Sequence, residues 1–123
     1  MSEHNRIDLI ELPAADQSAL EAARTFYETA FSWQFTDYGA YLDTADSGTT
    51  AGINAIGDDH QQRMPLAVVY VTDLEAAKAR VTDAGGTILH DSYAFPGGRR
   101  FHFADPAGNE LAVWSEDPDA QRA

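Results

Sequence analysis

RFHFADPAGNELAVW, residues 100–114, contains two strand-like runs separated by the tight turn DPAGN at 105–109. Pro106 restricts φ to the value that the second residue of a turn needs, and Gly108 or Asn109 can adopt positive φ at little cost. Two apolar runs on either side of such a turn predict a β-hairpin. The stretch aligns, turn over turn, with AYLDTADSGTTAGIN at 40–54, so this hairpin is predicted to occur twice.

The segments that precede the two hairpins also resemble each other. LEAARTFYETAFSW at 20–33 aligns with LEAAKARVTDAGGT at 74–87. The apolar residues of the first segment have helical spacing, and Asp16 stands where an N-cap is expected. Asp73 has the same place before the second segment. Both segments are therefore predicted to be helices.

The strand signals complete a duplicated module. RIDLIEL at 6–12 and PLAVVYV at 65–71 are typical of strands, and each precedes a predicted helix. The order indicates an α+β fold of two tandem βαβββ modules, about residues 6–57 and 65–116, joined by a polar linker at 58–64. One helix covers only one face of a four-stranded sheet. We therefore expect one domain whose two sheets curve around a central cavity.

Composition excludes several classes of function. The 123 residues are 44% hydrophobic, which is enough for one core, and contain no cysteine, which excludes disulfides and thiolate chemistry. The net charge of −12 disfavours binding to nucleic acid or anionic lipid. The polar N-terminus lacks the pattern of a secretion signal, and no apolar run is long enough to span a bilayer. We expect a cytoplasmic protein with no nucleic-acid or membrane partner.

Three features together resemble the vicinal oxygen chelate superfamily: DPAGN after FHF, FYETAFSW after ELPAAD, and the twin βαβββ order. This superfamily includes glyoxalase I, extradiol dioxygenases, fosfomycin- and bleomycin-resistance proteins and methylmalonyl-CoA epimerase. The resemblance covers roughly residues 6–116. It implies a glyoxalase/bleomycin-resistance-like fold and a homodimer, but it does not identify a reaction, because these chemistries share one scaffold.

The resemblance also implies a divalent metal between the two sheets, held by His, Gln or Glu on the first and last strands of each module. Counting from the helix-opening acids and the turn glycines places these ligands at Leu9, Leu66, Gly52 and Ala112. None of these residues has a side-chain lone pair for a cation, and their immediate neighbours do not form a ligand set either. We therefore predict no metal site and no cofactor.

Strand alternation then predicts which side chains face the cavity. The predicted lining combines apolar and aromatic surface with a few polar groups, which is the composition of a small-molecule site. The same alternation turns Phe101 and Phe103 toward the core. In the first module it places Thr50, Gly52 and Asn54 on the cavity face, with Leu42 beside them. The predicted ligand-binding residues are Leu9, Glu11, Asn54, Leu66, Val68, Tyr70, Arg100, His102, Glu110, Ala112 and Trp114.

The polar members of this set have alternative interpretations. Glu11 and His102 are weak candidates for a general base, but nothing in the sequence fixes a partner for His102, which could equally be a hydrogen-bonded wall residue. Glu11 and Glu110 could lie at strand ends in solvent. Arg100 could pair with a nearby carboxylate or anchor an anionic ligand.

The aromatic residues are also open to more than one interpretation. Trp114 and Tyr70 could bind a flat ligand or could fill the cavity completely. FPGGRR at 95–100 suits a mobile loop at the cavity mouth, because two glycines precede two arginines. Four further aromatic residues are assigned to core packing: Phe26, Tyr27, Phe31 and Trp33.

Three hypotheses follow for the function. The first is a metal-independent binding protein for a small, aromatic or hydrophobic ligand, similar to the drug-sequestering members of the superfamily. The second is a lyase, isomerase or dioxygenase that uses atypical metal ligands, with Glu11, His102 and Glu110 as candidates, or a metal-free acid/base site. The third is a structural or interaction module whose cavity has collapsed.

Overall fold

The computed structural model describes residues 3–57 and 64–120. Its order of elements confirms the predicted α+β class and the twin βαβββ modules. Apart from Met64, the predicted linker lies outside the described residues. No helix within the two described ranges combines the length and the apolar character needed to cross a membrane. The elements are β1 (Arg6–Pro13), α1 (Gln17–Phe31), β2 (Thr36–Asp37), β3 (Tyr41–Thr44), β4 (Thr50–Asn54), β5 (Leu66–Tyr70), α2 (Leu74–Asp83), β6 (Thr87–Phe95), β7 (Gly98–Ala104) and β8 (Glu110–Glu116).

The chain divides into two units. The first unit is Leu9–Leu66, and the second combines the chain up to Asp8 with the chain from Ala67 onward. In the first unit the strand order is β2-β3-β4-β1, and in the second it is β5-β8-β7-β6. β1 pairs with β4 in parallel and β5 pairs with β8 in parallel, whereas the hairpin neighbours are antiparallel.

In the first unit, α1 packs its apolar side on the sheet. The helix begins after Asp16, whose carboxylate accepts a hydrogen bond from the Ala19 amide at 2.8 Å. Leu20 is fully buried and packs with Leu42 and Ile53. The prediction that Leu42 shares a face with Thr50, Gly52 and Asn54 is wrong, because Leu42 pairs with Ile53 and both pack in the core with Leu20.

In the second unit, α2 covers a core built around Phe101. This ring is fully buried with Leu74, Ala77 and Val113, and Phe103 packs against the same cluster, so both phenylalanines face the core as predicted. The helix begins after Asp73, whose carboxylate accepts from the Ala76 amide at 3.1 Å. This face of the second-unit sheet is therefore covered by α2 and is not available to a ligand.

The only lysine of the chain ties α2 to the edge strand β6. Lys78 Nζ lies 2.6 Å from the Asp91 carboxylate and 3.1 Å from the Ser92 hydroxyl, and it also pairs with Glu75 at 3.3 Å. These residues of β6 lie where its register against β7 shifts, between His90 and Tyr93. Asp91 and Ser92, the two residues within this β-bulge, therefore carry the side chains that hold the helix.

The assignment of all four α1-region aromatics to the core is wrong for two of them. Phe26 and Phe31 are 59% and 58% exposed, respectively. Tyr27 packs against the first-unit core, and Trp33 stacks on Tyr27 with ring centroids 5.0 Å apart. Phe26 is exposed because it lies beside the stripe of Leu20, Ala23 and Tyr27 that faces the sheet. Phe31 is exposed because it is the last residue of the helix. The exposed rings still contact their aromatic neighbours edge-on or stacked.

The prediction of a loop over 95–100 is also wrong, because most of this segment belongs to strands. Pro96 and Gly97 form a two-residue turn that joins β6 to β7, with φ of 89° at Gly97, as a type II turn requires. Gly98 is already part of β7, and a Cβ atom there would lie 2.8 Å from the Ser115 carbonyl oxygen. The second glycine is therefore needed for close strand packing, and Arg99 and Arg100 are strand residues.

The DPAGN turn is organised by Asp105. Its carboxylate accepts hydrogen bonds from the Ala107 amide at 2.8 Å and from the Asn109 amide and side chain, both at 2.9 Å. Gly108 has a φ of 90°. The Asn109 side chain, followed by the backbone amides, lowers the pKa of the Asp105 carboxyl below its ordinary value of 3.8.

We therefore expect Asp105 to contribute to acid unfolding. A carboxyl whose pKa is lower in the folded state stabilises the fold above its unfolded pKa, and this contribution disappears as the pH falls through the folded pKa. In urea titrations at neutral pH and below pH 3.8, wild type should lose more stability on acidification than Asp105→Asn. Equal losses in the two proteins would contradict this role of Asp105.

Candidate functional site

Aromatic and polar side chains cover the face of the second-unit sheet opposite α2. The strand registers place Tyr93, Arg100, Trp114 and Tyr70 directly opposite one another across β6, β7, β8 and β5. We call these four residues the Trp114 row. Arg100 and Tyr70 are buried, whereas Tyr93 and Trp114 are half-buried. The row is therefore partly accessible at Tyr93 and at Trp114.

A second row lies beside the first. It consists of His90, His102, Ala112 and Val68, again paired across the four strands, and we call it the His102 row. His102, Ala112 and Val68 are buried. Glu110 follows on the same face of β8, two residues before Ala112. Two apolar and two imidazole side chains thus adjoin the aromatic row.

Trp114 and Tyr70 form an aromatic pair whose polar atoms both bind carboxylates. Their ring centroids are 5.0 Å apart in an edge-to-face arrangement. Trp114 Nε1 donates to Asp8 at 3.0 Å, and the Tyr70 hydroxyl donates to Glu116 at 3.2 Å. Burial, together with the Glu116 carboxylate, raises the pKa of the Tyr70 phenol above its ordinary value of 10.0, so Tyr70 remains a donor at neutral pH.

His102 is surrounded by hydrogen-bonding partners that the sequence did not reveal. Its Nδ1 lies 2.9 Å from Glu110 Oε2. Its Nε2 lies 3.0 Å from the Tyr93 hydroxyl and 3.2 Å from Arg100 Nη2. The side chain of Glu110 is only 19% exposed, so the interpretation of Glu110 as a solvent residue is wrong. Glu110, His102 and Tyr93 form a continuous chain of contacts.

The neighbours of His102 also fix its tautomer. Arg100 has only N–H donors, and its Nε and Nη2 atoms approach Nε2 at 3.4 and 3.2 Å. Nε2 must therefore act as an acceptor, which places the imidazole proton on Nδ1. The Nδ1–H group then donates to the Glu110 carboxylate, as the 2.9 Å distance requires. Glu110 and Arg100 together hold the imidazole ring in one orientation.

The first unit holds a buried carboxylate on its own sheet. Glu11 is 4% exposed, so its interpretation as a solvent residue is wrong. Its two carboxylate oxygens accept from the Tyr41 hydroxyl at 3.1 Å and from Asn54 Nδ2 at 3.3 Å. Asn54 is fully buried, and its Oδ1 accepts from the Ile56 amide at 2.7 Å. Nearby on β3, burial raises the pKa of the Asp43 carboxyl above 3.8.

The four positions where the resemblance places metal ligands do not fit a metal. A Cβ atom on Gly52 would lie 2.0 Å from the Tyr41 hydroxyl oxygen, because the Tyr41 ring occupies that space. Ala112 and Leu66 are buried apolar residues, and Leu9 is a half-buried leucine that pairs with Thr50. Among residues 3–57 and 64–120, no group of three His, Cys, Asp or Glu side chains is arranged to hold a metal.

An open groove of about 460 Å³ lies at the C-terminal end of α1. It contains none of the predicted site residues, and its Arg24 is paired with Glu28 at 3.2 Å and with Asp37 at 3.3 Å. Its charges are thus satisfied within the first unit. Its full lining is Arg24, Glu28, Ser32, Trp33, Gln34 and Phe35.

The structure therefore groups most of the predicted site residues by unit. Glu11 and Asn54 are in contact in the first unit, which also contains Leu9 and Leu66. Sequence reasoning missed Tyr41, although its position opposite Asn54 follows from hairpin alternation. It also missed Tyr93, because the bulge in β6 breaks the alternation that would have placed it. The predicted residues that share one face of the second unit are Val68, Tyr70, Arg100, His102, Glu110, Ala112 and Trp114.

Comparison with known proteins gives matches to a family and to solved structures. A family model described as Glyoxalase-like domain matches residues 14–114. No curated protein sequence matches this chain. A structure described as NAD-dependent benzaldehyde dehydrogenase from Legionella pneumophila has a TM-score of 0.70 at 12% identity, covering 89% of this chain and 98% of that one.

Two further structures have similar folds. A methylmalonyl-CoA epimerase has a TM-score of 0.69 at 14% identity, covering 95% of this chain and 99% of the epimerase. A glyoxalase/bleomycin resistance protein/dioxygenase superfamily member from Vibrio splendidus 12B01 has a TM-score of 0.65 at 14% identity, covering 88% of this chain and 97% of that one. At these identities the likeness concerns the fold alone.

Proposed function

Because this chain belongs to the glyoxalase-like domain family, we propose that it is a metal-independent binding protein for a small aromatic or hydrophobic molecule. Membership of the family confirms the resemblance that the sequence indicated. The binding function is supported above all by one observation, the Trp114–Tyr70 pair with its two carboxylate partners. Fixed aromatic edges and faces suit a planar ligand.

The two carboxylates favour a ligand with positive charge. Asp8 and Glu116 each accept a hydrogen bond from one ring of the pair, so their negative charges lie beside the aromatic surface. A cation over an aromatic ring gains about 0.5–2 kcal/mol, and a neighbouring carboxylate adds to this attraction. A planar aromatic cation therefore matches both features of the site.

Metal independence is supported by the side chains at the expected ligand positions. Gly52 and Ala112 cannot coordinate a cation through a side chain, and the Tyr41 ring fills the space beside Gly52. Elemental analysis of protein purified without chelator, combined with ligand titrations with and without EDTA, tests this part of the proposal. A stoichiometric metal whose removal abolishes binding would contradict it.

Binding of the planar cation proflavine should depend on Trp114. We expect Trp114→Leu to weaken binding about tenfold, or roughly 1.4 kcal/mol, because stacking and cation–π contacts are lost together. Isothermal titration calorimetry gives the affinity. Trp33→Leu is the matched control, since Trp33 stacks on Tyr27 in the first unit and should leave proflavine binding unchanged.

Charge variants separate the two contributions to that binding. Asp8→Asn and Glu116→Gln should weaken binding of proflavine but not of caffeine, a neutral planar molecule, if the carboxylates attract the cation. Equal affinities of wild type and Trp114→Leu for both probes would rule out this site.

We further propose a cytoplasmic homodimer, supported by the family resemblance, and sedimentation velocity tests the assembly state.

A further inference from the structure

We propose that Phe95 extends the ligand site of the second unit across β7 and gives it a preference for planar cations of three fused rings over smaller ones. This inference rests on the proposed binding function and deepens it, because it names a specificity-determining residue and the size of the ligand. Phe95 belongs to the segment that the sequence predicted to be a loop, and it is not among the predicted ligand-binding residues.

Phe95 lies on the same face of the sheet as Trp114. It follows Tyr93 by two residues along β6, so alternation directs both side chains to the site face. Phe95 pairs with Gly98 across β6 and β7, and Gly98 pairs with Glu116 across β7 and β8. These three residues therefore form a row next to the Trp114 row.

Gly98 allows the Phe95 ring to reach Trp114. Because β7 separates β6 from β8, the backbones of these two strands lie about 10 Å apart. The ring centroids of Phe95 and Trp114 are nevertheless only 6.1 Å apart. A Cβ atom on Gly98 would lie 2.7 Å from Phe95 Cζ, so the Phe95 ring occupies the space that a side chain at Gly98 would take. The missing side chain thus lets Phe95 cross β7.

Trp114 therefore has an aromatic neighbour on each side of β8. Tyr70, on β5, contacts it with ring centroids 5.0 Å apart, and Phe95 contacts it from the side of β7. Tyr70 is buried, whereas Phe95 and Trp114 are half-buried. The accessible aromatic surface thus continues from Trp114 toward Phe95.

The extent of this surface determines the size of the ligand. An indole consists of two fused rings, so a planar ligand of three fused rings that stacks on Trp114 extends beyond it and meets Phe95. The Phe95 ring is tilted by 50° from the Trp114 ring, so the ligand meets it at an angle, which aromatic pairs favour over a face-to-face sandwich. A ligand of two fused rings is covered by Trp114 alone.

Glu116 gives the extended surface a negative charge. Its carboxylate accepts a hydrogen bond from the Tyr70 hydroxyl at 3.2 Å, and the residue is exposed. In the strand register only Gly98 stands between Glu116 and Phe95. A cation that spans Trp114 and Phe95 therefore has a carboxylate close to its edge.

Proflavine, with three fused rings, and N-methylquinolinium, with two, are planar cations that test this preference. Phe95→Ala should weaken binding of proflavine about fivefold and of N-methylquinolinium at most about twofold, because only the larger ligand loses an aromatic contact. Calorimetry measures the first affinity, and NMR titration of the Trp114 indole N–H signal measures the second. Leu89→Ala is the matched control, since Leu89 is 42% exposed nearer the other end of β6, and it should change neither affinity.

Phe95→Leu provides a second variant, because it keeps an apolar side chain in place of the ring and so protects the fold. It should weaken proflavine binding to a similar extent as Phe95→Ala, with an unchanged circular dichroism spectrum. An unchanged proflavine affinity in Phe95→Leu would overturn the inference. An equal proportional loss for the two cations would overturn it as well, since Phe95 would then not discriminate by size.

The same titrations distinguish this inference from the proposed function. If Trp114→Leu weakens proflavine binding and the Phe95 variants do not, the binding site stands and the role of Phe95 is wrong. If proflavine does not bind, or binds equally to wild type and Trp114→Leu, the proposed function is wrong and this inference fails with it.

Discussion

Replacing Phe101 with Ala is expected to lower the free energy of unfolding by about 3–5 kcal/mol. The Phe101 ring is completely buried among Leu74, Ala77 and Val113 beneath α2, so its removal affects the packing of the whole cluster. Truncation removes the apolar contacts of the ring and leaves a cavity that the surrounding strands can fill only in part. Urea unfolding followed by circular dichroism measures the loss.

Phe31→Ala is the matched control for this prediction. The Phe31 ring is 58% exposed at the end of α1, where it contacts the rings of Phe26, Tyr27 and Trp33. Its removal should cost at most about 1 kcal/mol. If the two substitutions destabilised the protein equally, the assignment of Phe101 to the core and of Phe31 to the surface would be wrong.

Replacing Gly52 with Ala is expected to cost about 1–3 kcal/mol, even though only one methyl group is added. The new Cβ atom would lie 2.0 Å from the Tyr41 hydroxyl oxygen and 2.5 Å from its Cζ atom. The Tyr41 ring must move, and its 3.1 Å hydrogen bond to the buried Glu11 carboxylate is then lost. Denaturant titration measures the effect.

Gly57 supplies the control for Gly52. A Cβ atom on Gly57 meets nothing within 4 Å, so Gly57→Ala should be nearly neutral. A double-mutant cycle identifies the cause more directly. In a Tyr41→Ala background the penalty of Gly52→Ala should largely disappear, because the ring that blocks the methyl group is absent. A penalty that is unchanged in this background would show that Tyr41 is not responsible.

Much of the fold was predictable because local signals agreed with one another. Asp16 and Asp73 both cap helices as their positions before apolar, helically spaced segments indicated. The DPAGN turn joins β7 to β8, and Asp105 closes it with its own side chain. Such features depend on a few neighbouring residues, so one sequence is enough to predict them.

The departures have specific physical causes. Phe26 and Phe31 are of a residue type common in cores, but Phe26 lies beside the buried stripe of α1 and Phe31 lies beyond its end. Helical periodicity alone did not distinguish these positions from buried ones. The Gly97–Gly98 pair resembled a flexible loop, yet one glycine makes a tight turn and the other a close strand contact. Glycine permits both mobility and close packing, and the sequence does not distinguish the two.

The residues of the polar site were predictable from the sequence, but their hydrogen-bond partners were not. Alternation placed Arg100 and His102 on the face away from the core, yet it gave no reason to connect His102 with Tyr93. That contact depends on the register shift in β6 and on side-chain rotamers, which are tertiary properties. Partners of a buried polar group are decided by packing, whereas its face is decided by local pattern.

The bulge in β6 separates the residues that hold α2 from the residues that face the site. Asp91 and Ser92 hold Lys78, while His90 and Tyr93 on either side of them both pair with residues of the site face. Since three steps along β6 match two along β7, shortening this stretch by one residue would bring His90 and Tyr93 into regular alternation without reversing either. We therefore expect a one-residue deletion at this point to remove a side chain that holds Lys78 and to leave His90 and Tyr93 on the same face of the sheet.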